Sequence, residues 1–68
     1  MKELTKKQRK VFNFIKRHFK KHDTAPTRSE IRVKFEFAST NSVVANLDAL
    51  ERKGYIVQPK GITLTGKE

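Results

Sequence analysis

Between Pro26 and Gly54 the hydrophobic period is set twice and broken once, and few folds accept that pattern. Thr27 with Glu30 makes a capping box, because a hydroxyl at the N-cap and a carboxylate three residues on satisfy each other's orphan amides. A helix therefore starts at Thr27. Ile31 and Phe35 sit four apart on its face, and the run Phe35, Glu36, Phe37, Ala38, Ser39 then breaks the helical period. A second helix starts near Ser39 or Thr40, with Val43, Leu47 and Leu50 as its buried stripe. Arg52, Lys53 and Gly54 close it, with cations in the last turn and a glycine free to turn left-handed. Two short helices joined by a tight turn outline a helix-turn-helix. Asn41, Val44, Ala45 and Asp48 face away from the buried stripe, with Thr40 and Ser42 near the N-terminal tip. Small, hydrogen-bonding and methyl-bearing groups at the tip of an exposed helix are what a DNA major groove admits.

Charge points to the same kind of partner. The chain carries 16 Lys and Arg against 7 Asp and Glu, a net charge of +9 that attracts polyanions. Nine of the basic residues fall between Lys2 and Lys21, opposed only by Glu3. Taken alone, that run is equally a solvated helix face, and an acidic protein or an anionic membrane surface would also use it. No segment approaches the roughly 20 apolar residues of a membrane span, and the first helix is too charged for a signal peptide. The expectation is a cytoplasmic protein. A chain of 68 residues makes one domain, residues 1–68, with one core. Without cysteine it has neither disulfides nor thiolate metal sites, so apolar packing must hold it together.

The flanks complete a compact pattern. Thr5 with Gln8 is another capping box, followed at helical spacing by Val11, Phe12, Ile15 and Phe19, with Phe14 widening the stripe. Asp23 to Pro26 ends this helix, since the residue before a proline is pushed out of the helical region. After Gly54, Tyr55, Ile56 and Val57 favour a strand, and Ile62, Thr63, Leu64 and Thr65 another. Gln58-Pro59-Lys60-Gly61 suits the turn between them, with glycine where a positive φ is wanted. The fold class is α+β, mainly α: three helices followed by a two-stranded β-hairpin, a winged helix-turn-helix.

From Met1 to Leu64 the chain resembles the N-terminal DNA-binding domain of the SOS repressor LexA. The resemblance is carried by Leu4-Thr5 with Gln8, Val11-Phe12, Ile15 and His18, then Pro26-Thr27-Arg28 with Glu30-Ile31, Phe37, Ser39 and Asn41. It continues through Leu47, Ala49-Leu50, Arg52-Lys53-Gly54, Ile56, Gly61-Ile62 and Leu64. The resemblance implies that the third helix reads bases with Ser39, Asn41, Ser42, Val44 and Ala45, with Thr40 nearby. It also implies a wing lying against the DNA backbone or minor groove through Lys60. Backbone phosphates are then expected at Thr27, Arg28, Arg52, Lys53 and Lys60.

The departures carry information too. Val44 and Ala45 stand where the family has two consecutive acidic residues. Carboxylates accept from cytosine N4, whereas valine and alanine touch only apolar groups such as the thymine methyl, so a different operator is expected. Glu36 occupies a turn position that is glycine in the family, at a cost of about 1 kcal/mol if it must turn left-handed. Arg32 replaces a small residue of the first motif helix, and the wing turn is several residues shorter than is usual. The chain also stops where the family's self-cleaving peptidase domain begins, so neither autoproteolysis nor dimerisation through that domain is expected of it.

Catalysis finds little support. His18 and His22 lie four apart, the spacing at which two imidazoles share a metal, but no third ligand is apparent. No cofactor or metal is expected. Thr5, Thr27 and Ser39 are capping hydroxyls, without a base beside them. The five phenylalanines and Tyr55 read as core rather than as an RNA-stacking platform. The expected function is sequence-specific recognition of double-stranded DNA by a repressor or activator of a phage, plasmid or bacterial chromosome. Two copies on a palindrome are compatible with this. The competing expectation is a protein-interaction module that binds a host repressor or RNA polymerase, favoured if Val33, Phe37 and Val44 form one exposed patch.

Overall fold

The computed structural model describes residues 3–58 and 61–66. Helix α1 runs over Lys6–His22, α2 over Arg28–Lys34 and α3 over Thr40–Arg52. Strands β1, Ile56–Val57, and β2, Thr63–Leu64, pair antiparallel with Ile56 opposite Leu64 and Val57 opposite Thr63. Three helices and a two-stranded hairpin are the winged-helix arrangement. The strands are shorter than Tyr55–Val57 and Ile62–Thr65. Tyr55 follows directly on the turn that closes α3, and Thr65 instead bonds back through Oγ1 to the carbonyls of Gly54 and Tyr55 at 2.7 and 3.2 Å.

The helix starts follow from their caps. Thr5 and Thr27 each accept from the backbone amide three residues on, and Gln8 and Glu30 each accept from the cap amide in return. Ser39 departs from its expected capping role: it occupies the N-cap of α3 in an extended conformation but makes no side-chain cap bond. The helix ends follow from left-handed residues. After α3, Gly54 has φ 86°, its amide bonds the Glu51 carbonyl and the Tyr55 amide bonds the Leu50 carbonyl, the double closure of a Schellman motif. Helix α2 closes the same way around Glu36, φ 55°, with Glu36 bonded to Val33 and Phe37 to Arg32. Helix α1 stops at His22 because Asp23 turns left-handed at φ 60°, before the restriction imposed by Pro26 applies. A short polar side chain tolerates that conformation better than most.

The core forms where the three helices and the hairpin meet. Val11, Phe12 and Ile15 of α1 pack with Ile31 of α2, Val43, Leu47 and Leu50 of α3, and Tyr55, Ile56 and Ile62. Phe12 meets Tyr55 edge-on with centroids 5.0 Å apart, which ties α1 to the start of the wing. Phe14, Phe19, Phe35 and Phe37 pack around this centre, half-buried. Among the described residues no helix is long and apolar enough to cross a membrane.

Candidate nucleic-acid interface

Burying the Val43, Leu47 and Leu50 stripe forces the opposite side of α3 outward. Thr40, Asn41, Ala45 and Asp48 are exposed on it, and Ser42 and Val44 are half-buried at its margin. Ser39 is exposed just ahead of the first turn, and because its hydroxyl takes no part in capping it is available to an outside acceptor or donor. Ser39 at the N-cap and Thr40, Asn41, Ser42, Val44 and Ala45 in the first six helical positions thus gather at the start of α3. Asn46 has no role in the sequence reading. It is half-buried and donates from Nδ2 to the Ser42 carbonyl at 2.8 Å, a bond one turn long that holds its amide along the helix.

The expected phosphate contacts divide into separate groups. Thr27 and Arg28 open α2, and the Thr27 oxygen accepts from the Glu30 amide, which leaves its O–H proton free to donate outward. Arg28 Nη2 donates to Gln58 Oε1 at 3.3 Å, and Gln58 Nε2 donates to Glu51 Oε1 at 3.1 Å. That relay joins the start of α2, the wing and the last turns of α3. Thr27 and Arg28 also share a hollow with Gly61 and Ile62 of the wing. Lys60 and Pro59 lie outside the described residues. Arg52 is exposed at the far end of α3, about 18 Å along the helix from Thr40 at the usual rise per residue. Lys53 faces the start of α1, where its Nζ donates to the Glu3 carbonyl at 2.9 Å and to Gln8 Oε1 at 2.8 Å. Gln58 and the Lys53 clamp left no sequence signal, since their partners stand 30 and 45 positions away.

Glu30 holds two roles at the start of α2. Its carboxyl lies below the ordinary value near 4.5, chiefly because the Thr27 amide donates to it; slight desolvation opposes this, and the Thr27 hydroxyl, His18 and His22 add to the lowering. His18 is half-buried, with Nδ1 2.6 Å from the Thr24 carbonyl and Nε2 3.8 Å from Glu30 Oε2. A carbonyl only accepts, so Nδ1 carries the hydrogen. His22 is exposed beside it, ring centroids 4.7 Å apart. Among the described residues no group of three His, Cys, Asp or Glu is disposed to hold a metal.

Val33, Phe37 and Val44 do not form the single patch expected of a protein-interaction module. Val33 is 70% exposed and borders a groove with Phe14, Ser29, Glu30 and Lys34, whereas Phe37 is half-buried with Lys7 above its ring. Arg32 is exposed.

Related sequences are known. The family model for the LexA DNA binding domain matches residues 1–62. The chain belongs to that family. Its relatives include LexA repressor 2 of Geobacter sulfurreducens, 41% identical over 98% of this chain and 35% of that protein. LexA repressors of Actinobacillus pleuropneumoniae and Histophilus somni are 42% and 41% identical, over 88% and 93% of this chain and 29% and 30% of theirs. The chain thus spans about a third of the length of the curated relatives it matches. The family model describes a DNA-binding domain.

Proposed function

We propose that this chain binds double-stranded DNA sequence-specifically and regulates transcription, with α3 in the major groove and the hairpin on the backbone. The observation that carries the reading is the exposed, polar first half of α3, headed by a serine hydroxyl that its own helix does not use, in a +9 chain of the LexA DNA-binding domain family. Asn41 reads adenine through its amide, and Ala45 and Val44 meet thymine methyl groups. Ser39, Thr40 and Ser42 donate to base edges or to the nearest phosphates. Thr27 and Arg28, with Lys60 of the wing, follow one stretch of backbone, and Arg52 follows another. Lys53 reaches a phosphate only by leaving Glu3 and Gln8, so its contribution is the smallest of the set.

Two copies on inverted half-sites suit this geometry, because one copy covers a single groove face. Selection from random duplexes, read by gel shift, tests the proposal. A recovered consensus containing A·T pairs opposite the Asn41 and Ala45 positions supports it. Recovery of no consensus, with equal retention of every duplex, rejects sequence reading.

A further inference from the structure

Away from α3 and the hairpin, three adjoining hollows follow the seam of α1 and α2, and Phe14 and Lys34 line all three. Phe14 stands edge-on to Phe35, centroids 5.6 Å apart, and forms an apolar floor. Val33 walls the widest hollow, which is open and about 510 Å³ in volume. Lys10, Arg17 and Lys21 stand with Lys34 around the rim, all exposed. One carboxylate, Glu30, borders the seam, and its oxygens are turned to the Thr27 amide and to His18. No residue of α3 or of the wing lines any of the three.

An apolar floor inside a cationic rim is complementary to a particular chemistry. Carboxylates flanking one large apolar side chain would satisfy both parts at once, the charge steering the segment and the anchor filling the floor. A duplex would use the cations but has no group to place against Phe14 and Val33, since its edge is phosphate and sugar. A second copy of this chain brings another +9 and is repelled. We propose that the α1–α2 seam is a docking groove for an acidic protein segment carrying an apolar anchor. It is a second surface, separate from the first turns of α3, and it does not depend on the DNA reading.

The test uses the full chain and a fluorescein-labelled synthetic peptide of about ten residues, Asp and Glu with Phe and Leu at its centre, compared with the same peptide carrying Ser at both central positions. At physiological ionic strength the anchored peptide should bind about tenfold tighter, the size of effect that a filled anchor pocket gives. Val33→Ser, and Arg17→Gln together with Lys34→Gln, should each weaken it about fivefold or more without moving the thermal melt. Amide shifts on the unmodified chain should fall on α1 and α2 and spare the start of α3, which decides the matter even if a variant folds poorly. Equal binding of both peptides would mean charge alone and would overturn the proposal, as would no binding. Displacement of the peptide by a random duplex, with Val33→Ser weakening duplex and peptide alike, would reassign the seam to DNA.

Discussion

Glu36 sits left-handed at φ 55° in the turn between α2 and α3, a conformation that favours glycine, and its backbone completes the Schellman closure through Phe37 and Arg32. A β-carbon in that region crowds the following carbonyl at a cost of about 1–2 kcal/mol, and glycine returns part of the gain as extra freedom in the unfolded chain. Glu36→Gly should therefore raise stability by about 0.5–1 kcal/mol, read by denaturant unfolding. No change would mean that the side chain makes compensating contacts. Asn41 belongs to the same scale. In the proposed complex Asn41→Ala should lose about 1–3 kcal/mol of specific binding while binding to random duplex stays nearly level. Equal losses on both would remove it from base reading, and a lowered melting temperature would make it a structural residue of the first turn of α3.

At the scale of elements, α2 is only seven residues long and depends on its cap. A helix so short has few intrahelical bonds, so the Thr27 and Glu30 box and the packing of Ile31 hold it in place. The Glu30 carboxyl is held below its ordinary value near 4.5, so the ionised form is favoured by folding. Its contribution is present above that value and is lost as pH falls through the lower folded-state value. Thermal melts between neutral pH and pH values below about 4.5 should show this loss, and Glu30→Gln should flatten that part of the profile. An unchanged acid limb in the variant would assign the loss to other carboxylates. The same element carries part of the proposed interface: Thr27 and Arg28 stand at its start, and the Arg28–Gln58–Glu51 relay links them to the wing and to α3.

Across the whole molecule, charge governs how the chain meets any partner. Each phosphate neutralised releases close to one counterion, so affinity for any duplex should fall steeply between low and physiological salt. A flat salt dependence would defeat the DNA proposal altogether. The same +9 opposes self-association, and Phe12, Ile15, Ile31, Leu47, Leu50 and Ile56 are already buried in the core. Sedimentation of the 68-residue chain without DNA should accordingly report a mass near 7.9 kDa at micromolar concentration. A dimer at moderate salt would overturn this expectation and show that the chain carries a self-association surface, with Phe14 and the hairpin edge after Tyr55 the first places to look.

Local sequence was enough for what depends on neighbours three to five positions apart. Both capping boxes, the glycine closure at Gly54, the three apolar stripes and the break in the helical period after Phe35 are of this kind, because their partners are near in the chain. Helix order, the winged-helix class and the outward side of α3 follow from them, and the family resemblance supplied the roles assigned along that side. Residues distant in sequence behaved otherwise. Lys53 reads as a cation at a helix end, yet folding returns it to Gln8 and Glu3, and Arg28 finds Gln58 across the wing. Ser39 matches a cap in sequence and holds the N-cap position of α3, but its hydroxyl makes no cap bond. Hydrogen-bond partners of long polar side chains, and the grouping of Val33 with Phe14 rather than with Val44, are set by how the helices cross. The reason is that periodicity encodes which side of an element is apolar, while the neighbour that covers each polar group is chosen only when the core closes.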